Sequence, residues 1–504
     1  MTRPRFAGPG ALAFLALWFI LLAGGRSAFL RDPGTFWHIT TGERILADGF
    51  IRTDPYTFTF AGTWWVPYQW LGEVAMALVH RAGGFDALLL GAVTIIAAIV
   101  AWLFTRLYRT GLHWVASAAI TFFALAASSA HFHVRPHLFT ILGITITMVA
   151  LLEVDADRRP IRWLWWLVPF YAIWVNVHGG VLGGMATITI TAVGWIIGAL
   201  LGRPTPVRTR RDAGEVLLIA AACCATAFVN PYGLDLIRTW QVIMGEPLLR
   251  EIIQEHSPLD WREPSAWPIL GFALLYLILL AGVPLRELRV TWLLPIVWLL
   301  LSLDRVRHAP LFAVLGLAAI ASFWPQTRWA KRLATTRPDY YDPAGVPPSP
   351  LWMNLTLPVL AVALAFALQV MKVEVPVIGS GWARHDPKHW PMDLLDAIRA
   401  NEPHDGHNHL FNDYIDGGFI IYYAPGYKVF VDDRCEVFGG AWLRDFVIAG
   451  SEGTAEAIAK WEAEYGRFEY ALTRTGTGFE DYFAHSPDWL CIKRTDTAAF
   501  YRRK

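Results

Sequence analysis

Asp32 follows the first apolar run of this 504-residue chain and opens a polar, aromatic stretch, DPGTFWHITTGERILADGFIRTDPYTFTFAGTWWVPYQWLGE. An acid at the edge of a bilayer is costly and is retained chiefly for function. A positioned carboxylate can take the proton from an attacking hydroxyl, whose own pKa is far too high for it to ionise in water. Asp32-Pro33 is also a helix start signal, so the general-base and N-cap readings both stand. Asp54, in RTDPYTF, precedes a second proline and fits either a turn or a second acid. Glu73, in WLGE, fits the first turn of a helix, where an acid suits the dipole, or that same second-acid role.

Cationic groups form two clusters. The run His131-Phe132-His133-Val134-Arg135-Pro136-His137 has histidine spacings that share a strand or a helix face. Arg135 places a fixed charge among them, which repels a dication and welcomes a phosphate. A phosphate site is therefore the better reading, and an interfacial span start is the bland alternative. Arg305, Arg307 and His308 in LDRVRH form the second cluster. Phosphate contact or pairing with Asp304 would explain it. Candidate substrate contacts are Trp37, His38, Glu43, Trp65, Trp70, Asn176, His178, Glu255 and His256. The glycines after His178 also suit a tight re-entry, and the tryptophans suit an interfacial belt. In FVDDRCEVFGG, Asp432, Asp433 and Arg434 fit a ligand contact or a structural salt bridge equally. No cofactor is demanded by these patterns. A divalent metal is allowed, its ligands unknown.

These residues need elements to hold them. The chain is 55% hydrophobic and 17% charged, against roughly 25% charged in soluble domains. Apolar runs of transmembrane length recur up to Met371. They predict about eleven spans, near 10–29, 86–106, 112–130, 137–153, 161–177, 181–201, 214–230, 266–283, 290–303, 309–324 and 351–371. Every second loop is basic, from Arg3 and Arg5 through Arg106 and Arg109, Arg158, Arg159 and Arg162, to Arg328, Lys331 and Arg332. By the positive-inside rule the N-terminus is cytoplasmic and the C-terminus lies outside. The remaining polar groups then gather at the outer ends of the spans, around one hydrated cavity. A net charge of +1 gives no footing for a nucleic-acid partner.

The expected fold is an α-helical polytopic membrane protein: a membrane domain over 1–374, with a catalytic first outer loop at 31–85, and a small α/β domain over 375–504. In the first outer loop, 36–47 has the rhythm of a surface helix, and 70–80 reads as a short helix entering the next span. In the tail, strands are expected at 409–411, 418–423, 428–432, 468–473 and 489–493, and helices at 391–400, 441–449 and 453–464. Of the four cysteines, Cys223 and Cys224 lie in a span, and Cys435 and Cys491 are open to a disulfide or to two buried thiols.

An outward cavity with an acid and phosphate-binding cations constrains the donor. Soluble nucleotide-activated substrates are made on the other face, so a group transferred outside must arrive on a lipid carrier such as a polyprenyl phosphate. The sequence DPGTFWHI-x-x-GE-x-IL-x-x-G through TDPYTFT, with RPHLFT, WVNVHGG, NPYG and VDDR, resembles a bacterial branch of the glycosyltransferase C superfamily. That superfamily includes dolichyl-phosphate-mannose protein mannosyltransferases and aminoarabinose lipid A transferases. The resemblance implies an inverting, lipid-phosphate-sugar-dependent transferase of the bacterial inner membrane, with an extracytoplasmic C-terminal domain. It matches the superfamily's catalytic first-loop acid to Asp32 alone. The second-loop acidic pair of some members has no counterpart, since HFHVRPH lacks acids. Expected partners are the lipid donor, a saccharide, lipid or protein acceptor, and the membrane. The rival reading is a non-enzymatic lipid-linked saccharide transporter or export-complex subunit.

Overall fold

A computed structural model of the chain describes residues 7–248, 251, 256–403 and 408–504. Fourteen described helices precede residue 375: α1 Pro9–Gly25, α2 Gly34–Asp48, α3 Trp70–Tyr108, α4 Trp114–Ser128, α5 Leu138–Asp155, α6 Leu167–Val177, α7 Val181–Leu200, α8 Arg210–Ala225, α9 Leu234–Gly245, α10 Ala266–Leu280, α11 Leu294–Asp304, α12 Ala309–Phe323, α13 Arg328–Thr336 and α14 Leu351–Val370. Each of the eleven apolar runs coincides with one of them. Six are long and apolar enough to cross a membrane: α3, α4 and α12 with their flanking turns, α5, α7 and α14. Others are shorter. At 1.5 Å per residue the 15-residue α10 spans only about 22 Å of a hydrocarbon core about 30 Å thick. An apolar run is thus a weaker statement than a full crossing.

The core forms around α12, where fourteen of fifteen residues are buried. This helix packs on α3, α4, α5, α10 and α11. Side chains on the rim point outward instead: Phe122, Ile190, Ile197, Leu274, Leu300, Leu355, Leu360 and Leu364 are exposed. Apolar surface on this scale needs lipid rather than water against it. The protein is a multi-pass membrane protein. The basic loops meet at one end of the bundle, where Arg106 and Arg158 share Glu153, Arg289 pairs with Asp155, and Arg208 with Asp157. Asp32, Arg135 and His178 belong to loops at the other helix ends.

Two glycine features set the first loop. Gly83 and Gly84 leave helical geometry, Gly84 at φ +65°, and break α3 into a short leading helix and a long one. Gly42 on α2 lies against that leading helix so closely that a Cβ would stand 2.1 Å from the Glu73 carbonyl oxygen. Only glycine permits this crossing, which sets His38 beside Glu73.

From residue 375 onward the chain forms a five-stranded sheet, β1 His409–Asn412, β2 Lys428–Val429, β3 Tyr470–Arg474, β4 Trp489–Arg494 and β5 Ala498–Arg503, in the order β2-β1-β3-β5-β4. Strand β1 runs parallel to β2 and β3, and β5 runs antiparallel to β3 and β4. Helices α15 Leu395–Ala400, α16 Gly417–Tyr423, α17 Cys435–Phe438, α18 Gly440–Ala449, α19 Thr454–Tyr465 and α20 Gly478–His485 flank it. The expected strand at 418–423 is corrected to α16. Its five residues Gly417–Ile421 are all buried, and a short run buried on every side carries no period that separates helix from strand. Strand β5 went unread, as did α17 and α20. Of the two readings of Cys435 and Cys491 the free thiols hold, but not as a buried pair: all four cysteines are free, with Cys491 exposed and Cys435 beside the Tyr414 hydroxyl at 3.2 Å.

The first loop and this domain are joined. Residues 56–58 pair with the edge strand β2, Phe58 N donating to Val429 O at 3.1 Å and Val429 N to Tyr56 O at 3.1 Å. Phe36 of α2 inserts among Trp390, Phe419, Tyr422 and Tyr423.

Candidate active site at the first loop

Asp32 sits in the tight link between α1 and α2 and is 7% exposed. Its Oδ1 accepts the Gly34 amide two residues on at 2.7 Å, as an Asx turn does. Its Oδ2 accepts Arg135 Nη1 at 3.0 Å. The N-cap position of α2 is Pro33, without a side-chain cap, so the N-cap reading of Asp32 is corrected to a turn bond that coexists with the charge pair on one carboxylate. Burial raises the pKa of Asp32, but Arg135 and His133 outweigh it, and the carboxyl ends below its ordinary value. Asp32 is an anion at neutral pH although it is buried. Gly34 makes room for the pair, since a Cβ there would lie 2.8 Å from Asp32 Oδ1 and 2.9 Å from Arg135 Nε.

Histidines surround Arg135. The rings of His133 and His137 are 6.5 Å apart, and those of His137 and His178 are 6.4 Å apart. Burial, then the field of Arg135, pushes His137 down to about 3. His38 and His178 lie well below the usual imidazole range by burial and by the same neighbours. These imidazoles are neutral, so their tautomers matter. His178 Nδ1 accepts from the Gly180 amide at 2.9 Å. It also meets the Thr140 hydroxyl at 2.7 Å, and that oxygen already accepts the Trp174 indole. With Nδ1 engaged as acceptor, the His178 proton sits on Nε2. His38 Nδ1 meets Glu73 Oε1 at 3.0 Å, while His38 Nε2 and Glu73 Oε2 are buried with no hydrogen-bond partner among the described residues. His133 Nδ1 is likewise buried and unpartnered.

The second cationic cluster borders the first. Arg307 Nη1 approaches His256 Nε2 at 2.8 Å, and Arg305 Nη1 approaches Nδ1 at 3.4 Å. His256 is pushed down to about 3 by burial and by Arg307 and Arg305, with Arg135 contributing. His178 in turn feels Arg307. The distant cations thus share one electrostatic neighbourhood. His308 packs its ring on Trp298 at 5.7 Å.

Other candidates have internal partners. Asp54 folds its own turn, accepting from Tyr56 N and Thr57 N, and pairs with Arg434 at 2.7 Å. Arg434 also pairs with Asp432 at 2.6 Å and lies between the rings of Tyr56 and Trp65. The Trp65 indole donates to Glu436 at 3.0 Å. Asn176 accepts from the Trp70 indole at 2.7 Å and donates to Ala172 O and Val229 O. Glu43 pairs with Arg81 on an exposed face. His137 Nε2 is bonded to the His131 carbonyl oxygen at 2.7 Å. Glu255 lies outside the described residues.

Near the site Tyr68 carries no signal in the sequence, and Asp433 stands there only as a ligand contact or a salt bridge. Tyr68 is half-buried, and its pKa is raised by desolvation and by Glu436, against the opposing fields of Arg135 and Arg307. Asp433 accepts from the Trp37 indole at 2.8 Å; its VDDR run was visible, but not which acid turned toward Trp37. Among the described residues no group of three or more His, Cys, Asp or Glu could hold a metal ion, so the metal left open by the sequence finds no ligand set there.

No family model matches the chain, and no curated protein matches it in sequence. Solved structures do. The oligosaccharyltransferase of Archaeoglobus fulgidus in its apo form matches with a TM-score of 0.51 at 13% identity, over 92% of this chain and 69% of that one. The same protein tethered by a disulfide to an acceptor peptide containing the NVT sequon gives 0.51 at 12% identity, with the same coverage. ArnT from Cupriavidus metallidurans in the apo state gives 0.49 at 14% identity, over 98% of this chain and 96% of that one. At such identity the likeness to the oligosaccharyltransferase concerns the fold.

Proposed function

We propose that this chain, a membrane protein of the glycosyltransferase C fold, moves a sugar from a polyprenyl-phosphate donor to a saccharide, lipid or protein acceptor at the outer face of the bacterial cytoplasmic membrane. The observation that carries the reading is the buried Asp32 carboxylate, held ionised and hydrogen-bonded to Arg135 amid neutral imidazoles.

Each oxygen of Asp32 takes one of these hydrogen bonds, to Gly34 or to Arg135, and a carboxylate oxygen has two acceptor sites. A lone pair is left to receive the proton of an acceptor hydroxyl or amine. As that nucleophile bonds to the anomeric carbon, the bond to the phosphate oxygen breaks and the phosphate keeps the electron pair. Direct displacement inverts the anomeric centre. In this reading Arg135, His133 and the Nε2–H of His178 stabilise the departing charge, with Arg305 and Arg307 contributing from the neighbouring cluster. Donors fixed before the reaction need no reorganisation as charge develops.

The test is Asp32→Asn in membranes supplied with labelled lipid-linked sugar. The reading expects transfer to fall roughly a hundred- to ten-thousandfold, the usual contribution of a general base. Undiminished transfer at equal protein level refutes it.

A further inference from the structure

The C-terminal domain meets the loop bearing Asp32 at several points, one of them a short segment after β2. After β2 the chain runs Phe430-Val431-Asp432-Asp433-Arg434, and its two adjacent acids have different partners. Asp432 holds Arg434. Asp433 Oδ1 instead accepts the Trp37 indole of α2, whose N-terminus is fixed by Asp32. Beside it, Gly418 of α16 lies so close to the Pro33 carbonyl oxygen that a Cβ would be 2.3 Å away. The loop bearing Asp32 and the segment bearing Asp433 are therefore clamped together. We propose that Asp433 is the second carboxyl group of the reaction centre, supplied by the C-terminal domain, and that it binds the acceptor alongside Asp32. The pairing stands on this geometry, whereas the acceptor role rests on the transferase reading.

The two acids have different settings. Asp32 has the Arg135 guanidinium and a helix amide. Among the described residues, one side chain, the Trp37 indole, donates to the Asp433 carboxyl group, and the Cys435 thiol donates to its backbone oxygen. Burial, then the negative charge of Asp32, pushes Asp433 up to about 8; Arg135 opposes this and Asp432 adds to it. Tyr414 and Cys435 are its other titratable neighbours, both with raised pKa and neutral near pH 7. At neutral pH the pair therefore holds one proton, on Asp433. Two carboxyl groups pushed apart in this way divide their tasks. Asp32 takes the acceptor's proton. The neutral Asp433 hydrogen-bonds the acceptor without adding a second negative charge beside the departing phosphate. Above about pH 8 that charge appears, and transfer falls.

The experiment is infrared titration of the full-length protein in lipid nanodiscs with labelled aspartate, and no added ligand. The expected signal is a protonated-carboxyl band lost with a midpoint near pH 8. It should be missing in Asp433→Asn and displaced to lower pH in Asp32→Asn, where the like charge is gone. Asp413, raised by burial to about 7, should titrate unchanged in both and serve as reference. A band that survives Asp433→Asn, or a midpoint unmoved in Asp32→Asn, overturns the pairing. In membranes with labelled polyprenyl-phosphate sugar, Asp433→Asn should lower transfer roughly three- to tenfold and remove the alkaline decline, as loss of a neutral hydrogen bond does. The exposed Asp396→Asn should change neither. Wild-type transfer by Asp433→Asn overturns the acceptor role. If wild-type protein transfers nothing while the infrared shift holds, the transferase reading and the acceptor role fail together and the pairing stands.

Discussion

Asp32 and Arg135 are 103 residues apart in sequence and 3.0 Å apart in space, Nη1 to Oδ2. The bond ties the loop before α2 to the loop before α5, so an acid and its cation arrive from separate elements. Replacing Arg135 by Gln removes the largest influence that lowers the Asp32 pKa. The pKa of Asp32 then rises, and the acidic limb of the pH–rate profile moves to higher pH. Binding of polyprenyl phosphate should weaken roughly ten- to a hundredfold, the usual worth of a charged hydrogen bond. Isothermal titration and a pH profile of transfer check both effects.

Gly34→Ala tests the geometry without touching charge. The added methyl group would crowd both partners of the Asp32–Arg135 pair, and they can only move apart. The expectation is a loss of transfer of about tenfold or more, since small misplacements are costly in catalysis. Thermal unfolding should change by less than about 3 kcal/mol, the range of overpacking strain. Unchanged kinetics would mean that the pair tolerates displacement.

Arg434→Met should loosen the C-terminal domain from the first loop. Asp54 and Asp432 would be left buried without their cation, the arrangement that costs about 3–5 kcal/mol. Limited proteolysis should then cut between residues 31 and 85 or near residue 375 faster than in the native protein. An unchanged digestion pattern would show that the Phe36 cluster, the 56–58 pairing with β2 and the Trp37–Asp433 bond hold the domain without Arg434.

Acid should destabilise the fold by a defined route. His137 and His256 are held down to about 3 in the folded state, and an unfolded imidazole titrates near 6.5. Below that pH the unfolded chain binds more protons than the native one. Their stabilisation is therefore complete above about 6.5 and is lost progressively as pH falls toward about 3. Melting temperature in detergent should drop across this window, and His137→Asn should lessen the slope.

Much of this arrangement is legible in the sequence. Long apolar runs mark helices, because lipid and core both demand them. The 36–47 rhythm marks α2, and Asp32 and HFHVRPH stand out because polar groups at that depth are costly. What stays hidden depends on long-range packing. Nothing local distinguishes Asp432, which locks Arg434, from Asp433, which turns to Trp37. The hydrogen bond between the Trp70 indole and Asn176, 106 residues apart, has no local signal in the sequence. Helix α16 reads as a strand because GGFII is buried throughout and has no polar face to betray its period.

The most direct test of the central claim is a structure of the protein in a bilayer containing polyprenyl phosphate. The account predicts the phosphate against Arg135 and His178, within reach of Asp32 and facing Asp433. A phosphate bound at the end where Glu153 and Asp155 gather the basic loops, with Asp32 remote from it, would contradict the account.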